Sequence, residues 1–363
     1  MVSAIVLAGG YATRLRPLSL TKPKALLPIL DKPLIDYILD ALEYSQVDNI
    51  YLSLRVMADK ILEHIKNTNR NVIPVVESER LGDAGPLRII NNQYNLSDDV
   101  IVVYGDIYNE VDYKRLIEFH QSEGCDATVV GTQVEDPKRY GVLVVDDHKL
   151  IQIIEKPKVP VGNLINAGVY IFKRKLFEKI DGLANGNAVS ISRDFLPKLI
   201  SSGTCISVYP YKGLWMDIGI PSDYMRINLE LLTLKYPKGF IGENANVSEK
   251  AELRPPFYIS NGVTVGGDSF IRSSIVGRRS KIGKGSYIEE SIFMENVQIG
   301  DFSSIVDSII GENSTVGKWN RVESSILGDE VTTYNNIMIN KDTIILPYKE
   351  VTESIHERGK IIL

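Results

Sequence analysis

The chain has 363 residues, 44% of them hydrophobic and 24% charged, with a formal net charge of -5. Such a chain is large enough for two hydrophobic cores, and its acidic balance excludes a surface built to coat nucleic acid. No apolar run approaches the ~20 residues that span a bilayer, and the start, MVSAIVLAGG, carries no basic leader. Cys125 and Cys205 stand far apart in sequence and in no ligand-spaced cluster, which argues against a disulfide framework or a zinc site. A cytoplasmic protein with no membrane or nucleic-acid partner is expected.

In chain order, SAIVLAGG reads as a strand running into a loop. PLIDYILDALEYSQV places Leu34, Ile35, Ile38, Leu39 and Leu42 at helical spacing behind Pro33, a residue tolerated at a helix start. DNIYLSLR and MADKILEHIKN follow as strand and helix, and DVIVVYGD is an apolar run of the kind buried in a parallel sheet. DYKRLIEFHQSEG is a helix with Asp112 as its N-cap, and DATVVGTQV is the next strand. This alternation predicts an α/β domain over residues 1–232, with a mostly parallel sheet and helices on both faces. In such sheets ligands gather at the carboxyl ends of the strands.

Past a linker at 233–240 the pattern becomes a repeat. SIVG, SIFM, SIIG and SILG begin at residues 274, 291, 308 and 325, one every 17 residues. Within each unit apolar residues step by six, six and five: Val276, Ile282, Ile288, then Phe293, Ile299, Ile305, then Ile310, Val316, Val322, then Leu327. Ile259, Val265 and Ile271 extend the ladder backward, and Ile241, Val247 and Leu253 form a first coil of 18. This period predicts a triangular parallel β-helix over 241–330 with one inward residue per side. Residues 331–363 break phase and are expected to form a capping tail.

The loops after the strands carry the polar groups. Leu7, Ala8, Gly9 and Gly10 end the first strand, and Thr13, Arg14 and the Pro23-Lys24 pair follow with no acid anywhere in residues 1–30. Glycines there let backbone N–H groups approach anionic oxygens. Neither the P-loop GxxxxGK[ST] nor the three-glycine dinucleotide fingerprint is present. Asp106 falls at the end of DVIVVYGD and Asp217 in apolar GLWMDIGIPSDY. A carboxylate beside a phosphate site needs a bridging cation, and Mg²⁺ prefers hard oxygen ligands. Gly141, Glu155, Lys156 and Asn166 each interrupt strand-like sequence, with types suited to hydroxyl and phosphate recognition.

The ordered motifs LAGGYATRLRPLSLTKPKALLPI, LGDAGPL, YGDIY, RYGVLVV, EKPK, INAGVYIF and WMDIGIPSDY resemble those of the sugar-1-phosphate nucleotidylyltransferases. The hexapeptide tail is similar to the left-handed β-helix carried by several branches. RLIEFHQSEGCDATVVGTQVEDPKRYGVLV and INKDTIILPYKEVTESIHERGKIIL are similar to the branch that joins GTP to mannose 1-phosphate. The resemblance implies a Rossmann-like catalytic domain, then the β-helix, and a homo-oligomer formed through it. It implies that Leu7, Ala8, Gly9, Gly10, Thr13, Arg14 and Lys24 hold the nucleotide, with Gly82 and Gly85 beside base and ribose. It implies Mg²⁺ on Asp106 and Asp217, and sugar phosphate on Gly141, Glu155, Lys156 and Asn166. Arg14, Lys24, Asp106, Lys156 and Asp217 would then be the catalytic set.

Guanine offers two adjacent donors that one carboxylate can accept, and Glu77, ahead of the LGDAG loop, is the candidate. Two residues depart from the family pattern: Ala12 stands where glycine is usual, and Asp83 where the guanylyl branch has threonine. Rival readings are an acyltransferase on the coils, a non-catalytic nucleotide-sugar sensor, and the same reaction with TTP or UTP and glucose 1-phosphate. Acyl transfer wants a histidine base, and residues 241–327 contain none.

Overall fold

The computed structural model describes residues 2–159, 161–184 and 188–363. The chain forms two compact units. One comprises Leu34–Asp217 with Tyr11 and the chain before it; the other comprises Ala12–Pro33 and Ile218–Leu363.

The first unit is built on a nine-stranded sheet. Its strands are β1 (Val2–Leu7), β2 (Ile50–Leu54), β3 (Ile73–Val76), β4 (Asp99–Tyr104), β6 (Ala127–Gln133), β7 (Gly141–Asp146), β8 (Lys149–Glu155), β9 (Leu164–Lys173) and β10 (Ile206–Tyr211). They lie in the order β3-β2-β1-β4-β9-β6-β10-β8-β7. The pairs β3–β2, β2–β1, β1–β4 and β6–β10 are parallel, while β9 runs antiparallel to both neighbours. The apolar runs are buried as their composition demands: every residue of β1 is buried. Two short strands, β5 (Ile107–Asn109) and β11 (Trp215–Asp217), form a separate antiparallel ribbon.

The helices follow the expected spacing. In α1 (Leu34–Tyr44), Leu34, Ile35, Ile38, Leu39 and Leu42 are all buried. In α4 (Tyr113–Glu123), Asp112 accepts the Arg115 N–H at 3.1 Å as N-cap, and Gly124 closes the helix at positive φ. Between these helices lie α2 (Ala58–Asn67) and α3 (Gly85–Gln93). On one sheet face Ile5, Leu7, Val100 and Val102 cluster with Leu87 and Ile90 of α3. The reading of the cysteines needs correction. Cys125 and Cys205 form a disulfide, because the parallel pairing of β10 with β6 places the residues that precede both strands side by side.

The second unit carries the solenoid, whose pairings stack parallel strands in three rows. The predicted inward residues are buried from Ile259 onward, and Ile288, Ile305, Ile310, Val322 and Leu327 are completely so. The first coil is the exception: Ile241 is half-exposed, since an end coil is covered on one side only. The repeated serine has its own task. Ser291, Ser308 and Ser325 each donate their N–H to the serine hydroxyl 17 residues earlier, at 3.1–3.2 Å. The arrangement is consistent with the left-handed β-helix expected.

Two boundaries differ from expectation. Residues 331–363 do not form a separate cap: strands continue to Ile361–Ile362, with Ile339 and Ile345 wholly buried. The pairing Ile326↔Ile344 shows why phase is lost, because that coil takes 18 residues and its turn absorbs the extra one. The compact units also divide at Ile218 rather than at 232. Helix α5 (Pro221–Lys235) joins the solenoid unit together with the loop 12–33, to which it is tied by Tyr224 Oη donating to the Pro28 carbonyl at 2.6 Å. The Leu30 N–H donates to Asn228 Oδ1 at 2.6 Å and adds a second tie.

Ala12, which opens that loop, sits at φ 47°, ψ 40°, the left-handed region. Its carbonyl accepts Ser19 Oγ at 2.7 Å and the Leu15 N–H at 3.0 Å, which holds it there. A Cβ in this conformation costs about 1–2 kcal/mol, while alanine saves about 0.4–1 kcal/mol of unfolded-state entropy relative to glycine. Ala12→Gly should therefore raise unfolding free energy in urea titrations by up to about 1.6 kcal/mol. A loss of stability would contradict the left-handed assignment.

Candidate functional site

The site residues of the first unit collect where the parallel ladder runs past its strand ends. The Ala8 N–H donates to the Ser53 carbonyl at 2.9 Å, the Glu77 N–H to the Leu54 carbonyl at 2.8 Å, and the Gly105 N–H to the Leu7 carbonyl at 2.8 Å. Ala8–Gly10, Arg55, Glu77 and Asp106 are thereby drawn to one edge of the sheet. Gly105 permits this approach, since a Cβ there would lie 3.0 Å from the Leu7 oxygen and 3.1 Å from Ala8 Cβ. Gly9 is half-buried and Gly10 exposed, so backbone N–H groups of this turn are open to a ligand.

Asp106 and Asp217 come together through the ribbon. β5 starts immediately after Asp106, and Asp217 pairs directly with Ile107. Trp215 holds the ribbon in place by donating Nε1–H to the Ala167 carbonyl of β9 at 2.9 Å. Both carboxylates are half-buried, so Asp217 is less enclosed than its apolar neighbours in sequence suggest, and Arg139 Nη2 stands 3.9 Å from it. No group of three or more His, Cys, Asp or Glu side chains among the described residues is placed to hold a metal by itself. A carboxylate pair suits Mg²⁺, which completes its shell with phosphate oxygens and water.

Glu77 lies against the glycine turn: a Cβ on Gly9 would meet Glu77 Oε1 at 3.3 Å. The Ser53 hydroxyl donates to the same carboxylate. Burial holds the Glu77 carboxyl above its usual pKa, partly offset by the Ser53 hydrogen bond and by the Arg55 charge. Arg55 also reaches the Gly9 carbonyl at 3.4 Å and covers the Tyr11 ring at 4.8 Å. Sequence reasoning missed Arg55, although a polar residue straight after the strand DNIYLSLR was the signal that found the others. Arg139, in the DPKRYG turn ahead of Gly141, was missed in the same way.

The LGDAG loop resolves the question of Asp83. Its Oδ1 accepts the Ile191 N–H at 2.7 Å, and its Oδ2 accepts the Tyr104 hydroxyl. Burial raises the Asp83 pKa against these hydrogen bonds, and the carboxylate serves as an internal tie. Gly82, at φ 81°, passes so close to Val189 that a Cβ would fall 2.1 Å from its carbonyl oxygen. Gly85 begins α3.

The sugar-side candidates form a second group. Ile165 pairs with Val142, which places Asn166 and Gly141 next to each other, and Glu155 pairs across the hairpin with Gly141. Lys156 adopts the left-handed region at φ 46°, exposed, with Nζ 3.8 Å from Glu155 Oε1. Asn166 is buried: its amide donates to Tyr170 Oη at 2.7 Å and Ser192 Oγ at 2.8 Å, and its oxygen accepts the Gly168 N–H. Thr13, Arg14 and Lys24 belong to the second unit. Thr13 and Arg14 lie exposed in a short 3-10 turn, and Lys24 is buried where a second such turn begins after Pro23.

The raised Glu77 pKa fixes the sign of a pH effect. A carboxyl whose folded pKa exceeds its unfolded value contributes stability in acid that is lost as pH rises through the folded pKa. Glu77→Gln should therefore unfold at higher denaturant than the native protein at pH about 7, with the difference vanishing below pH about 4. An equal gain at both pH values would contradict a desolvated carboxylate.

Residues 3–233 match the nucleotidyl transferase family model, and residues 253–362 match the GMPPB C-terminal domain. The chain is 72% identical over its full length, and over the full length of its counterpart, to a Sulfolobus acidocaldarius protein provisionally named mannose-1-phosphate guanyltransferase. It is 32% identical to the Arabidopsis thaliana mannose-1-phosphate guanylyltransferase 1, covering 78% of this chain and 88% of that protein. Among solved structures, HddC from Yersinia pseudotuberculosis complexed with GMP-PN is 33% identical with a TM-score of 0.54, covering 64% of this chain and 100% of that one. The chain belongs to the nucleotidyl transferase family, in the branch that carries the GMPPB C-terminal domain.

Proposed function

We propose that the protein transfers the guanylyl group of GTP to mannose 1-phosphate, giving GDP-mannose and pyrophosphate with Mg²⁺. The observation that carries this reading is the ribbon pairing of Asp217 with Ile107, which sets Asp217 next to Asp106, the residue that follows the Gly105 bond to the end of β1. A phosphate oxygen of the sugar forms a bond to the α-phosphorus as the bond from that phosphorus to the bridging oxygen of pyrophosphate breaks. No proton moves in this exchange, so the work is positioning and charge neutralisation. Bound Mg²⁺ would supply positive charge to the phosphate oxygens, and Asp106 and Asp217 would hold it.

The remaining roles fall to the chain itself. Backbone N–H groups of the Leu7–Gly10 turn, with Thr13, meet the triphosphate, and Arg14 and Lys24 neutralise it. Glu77 accepts both guanine donors, while Gly82 and Gly85 line base and ribose. Lys156 takes the sugar phosphate; Gly141, Glu155 and Asn166 take the sugar. The inward tie of Asp83 supports the guanylyl reading, because its carboxylate is already committed to Tyr104 and Ile191. The same proposal includes a cytoplasmic location, shared with charged substrates that do not cross bilayers unaided, and a homo-oligomer formed through the coils. A monomer in sedimentation at all concentrations would contradict the latter.

Pyrophosphate release with a matrix of NTPs and sugar 1-phosphates should be fastest with GTP and mannose 1-phosphate. Asp106→Asn and Asp217→Asn should each lower it by about a hundredfold or more with the fold retained. Turnover led by TTP or UTP would overturn the guanylyl assignment, and near-native rates in either variant would remove that carboxylate from the mechanism.

A further inference from the structure

Residues 1–30 hold Arg14, Arg16, Lys22 and Lys24 without one acid. Some of the missing counter-charge comes from the solenoid. The residue after each Ser-Ile quartet recurs every 17 residues, as Arg278, Glu295, Glu312 and Asp329, so it takes the same place in four successive coils. Three of the four reach the loop 12–33.

Arg278 donates Nε–H to both carboxylate oxygens of Asp31, at 2.9 and 3.0 Å, and Nη2–H to the Asp31 carbonyl at 3.0 Å. Ser260 Oγ adds a bond to Asp31 Oδ2 at 2.6 Å. Glu312 pairs with Lys22. Asp329, itself buried, accepts the Thr21 hydroxyl on Oδ2 at 2.6 Å and the Glu312 N–H on Oδ1 at 2.8 Å. One carboxylate thus locks the loop to one coil and that coil to the next. The fourth residue, Glu295, pairs instead with Arg279 of the solenoid. The loop is gripped at Thr21–Lys22 and again at Asp31, and Lys24 lies in the span between.

We propose that Glu312 and Asp329 are positioning residues for Lys24. They hold the basic loop in the conformation that presents Lys24 to nucleotide phosphate, so a solenoid with no catalytic group of its own sets nucleotide affinity. This rests on the function proposed above, in which Lys24 meets the triphosphate. The Lys22–Glu312 contact is only partly exposed to water, so removing one partner strands the other charge and shifts the segment that carries it.

Charge exchange tests the idea. Lys22→Glu and Glu312→Lys should each raise KM for GTP by about tenfold or more, while KM for mannose 1-phosphate stays within about twofold. The double variant, with the charges exchanged, should return KM for GTP to within about threefold of native. Glu295→Gln, at the equivalent place but paired with Arg279 of the solenoid, should leave both constants unchanged. Unchanged KM for GTP in the single variants, or no rescue in the double variant, would overturn the proposal while leaving the nucleotidylyl reading intact. A native protein inactive with every NTP would overturn both.

Discussion

The hydrogen bond from the Gly105 N–H to the Leu7 carbonyl, 2.8 Å long, is the contact on which the site's geometry depends. It carries the β1–β4 ladder one step past the end of β4, so the glycine turn after β1 and Asp106 after β4 leave the sheet together. The ribbon then begins at Ile107, and its antiparallel register brings Asp217 across a long excursion of sequence. A side chain at position 105 would press on Leu7 and Ala8 and part the two halves of the site. The positions of the carboxylates are thus set by backbone pairing, which fixes a site more closely than a loop does.

Much of this was legible in sequence because it rests on local pattern. Strand-end placement of Gly9, Glu77 and Asp106 follows from apolar runs that stop at polar residues, and the coils follow from a period that holds phase to Leu327. What escaped is what tertiary contact decides. Asp83 read as an unwelcome charge because its partners, Tyr104 and the Ile191 N–H, are brought to it only by folding. Asn166 read as a polar residue dropped into a strand, and its partners Tyr170 and Ser192 are set by folding that spacing does not show. Cys125 and Cys205 looked unrelated because parallel pairing of β6 and β10 is invisible to spacing. The tail looked like a cap because a single extra residue between Ile326 and Ile344 ends the period without ending the coil.

The acid-free first stretch takes on a divided meaning. Its members are met in two ways: Lys22 and Thr21 by Glu312 and Asp329, whereas Arg14 lies exposed in its turn. The left-handed Ala12 belongs to the same economy of strain. Its carbonyl is fixed by Ser19 and Leu15, so the chain turns sharply into the loop and accepts a cost of about 1–2 kcal/mol for it. Strain of this kind persists where surrounding structure over-determines it, and Lys156, just after β8, is a second instance.

The central claim is that Asp106 and Asp217 act together as one divalent-cation site completed by nucleotide phosphate. Mn²⁺ titration followed by water-proton relaxation, with a non-hydrolysable GTP analogue bound, measures this directly. The account predicts tight Mn²⁺ binding in the native ternary complex and its loss in both Asp106→Asn and Asp217→Asn. Binding of native strength in either variant would contradict it.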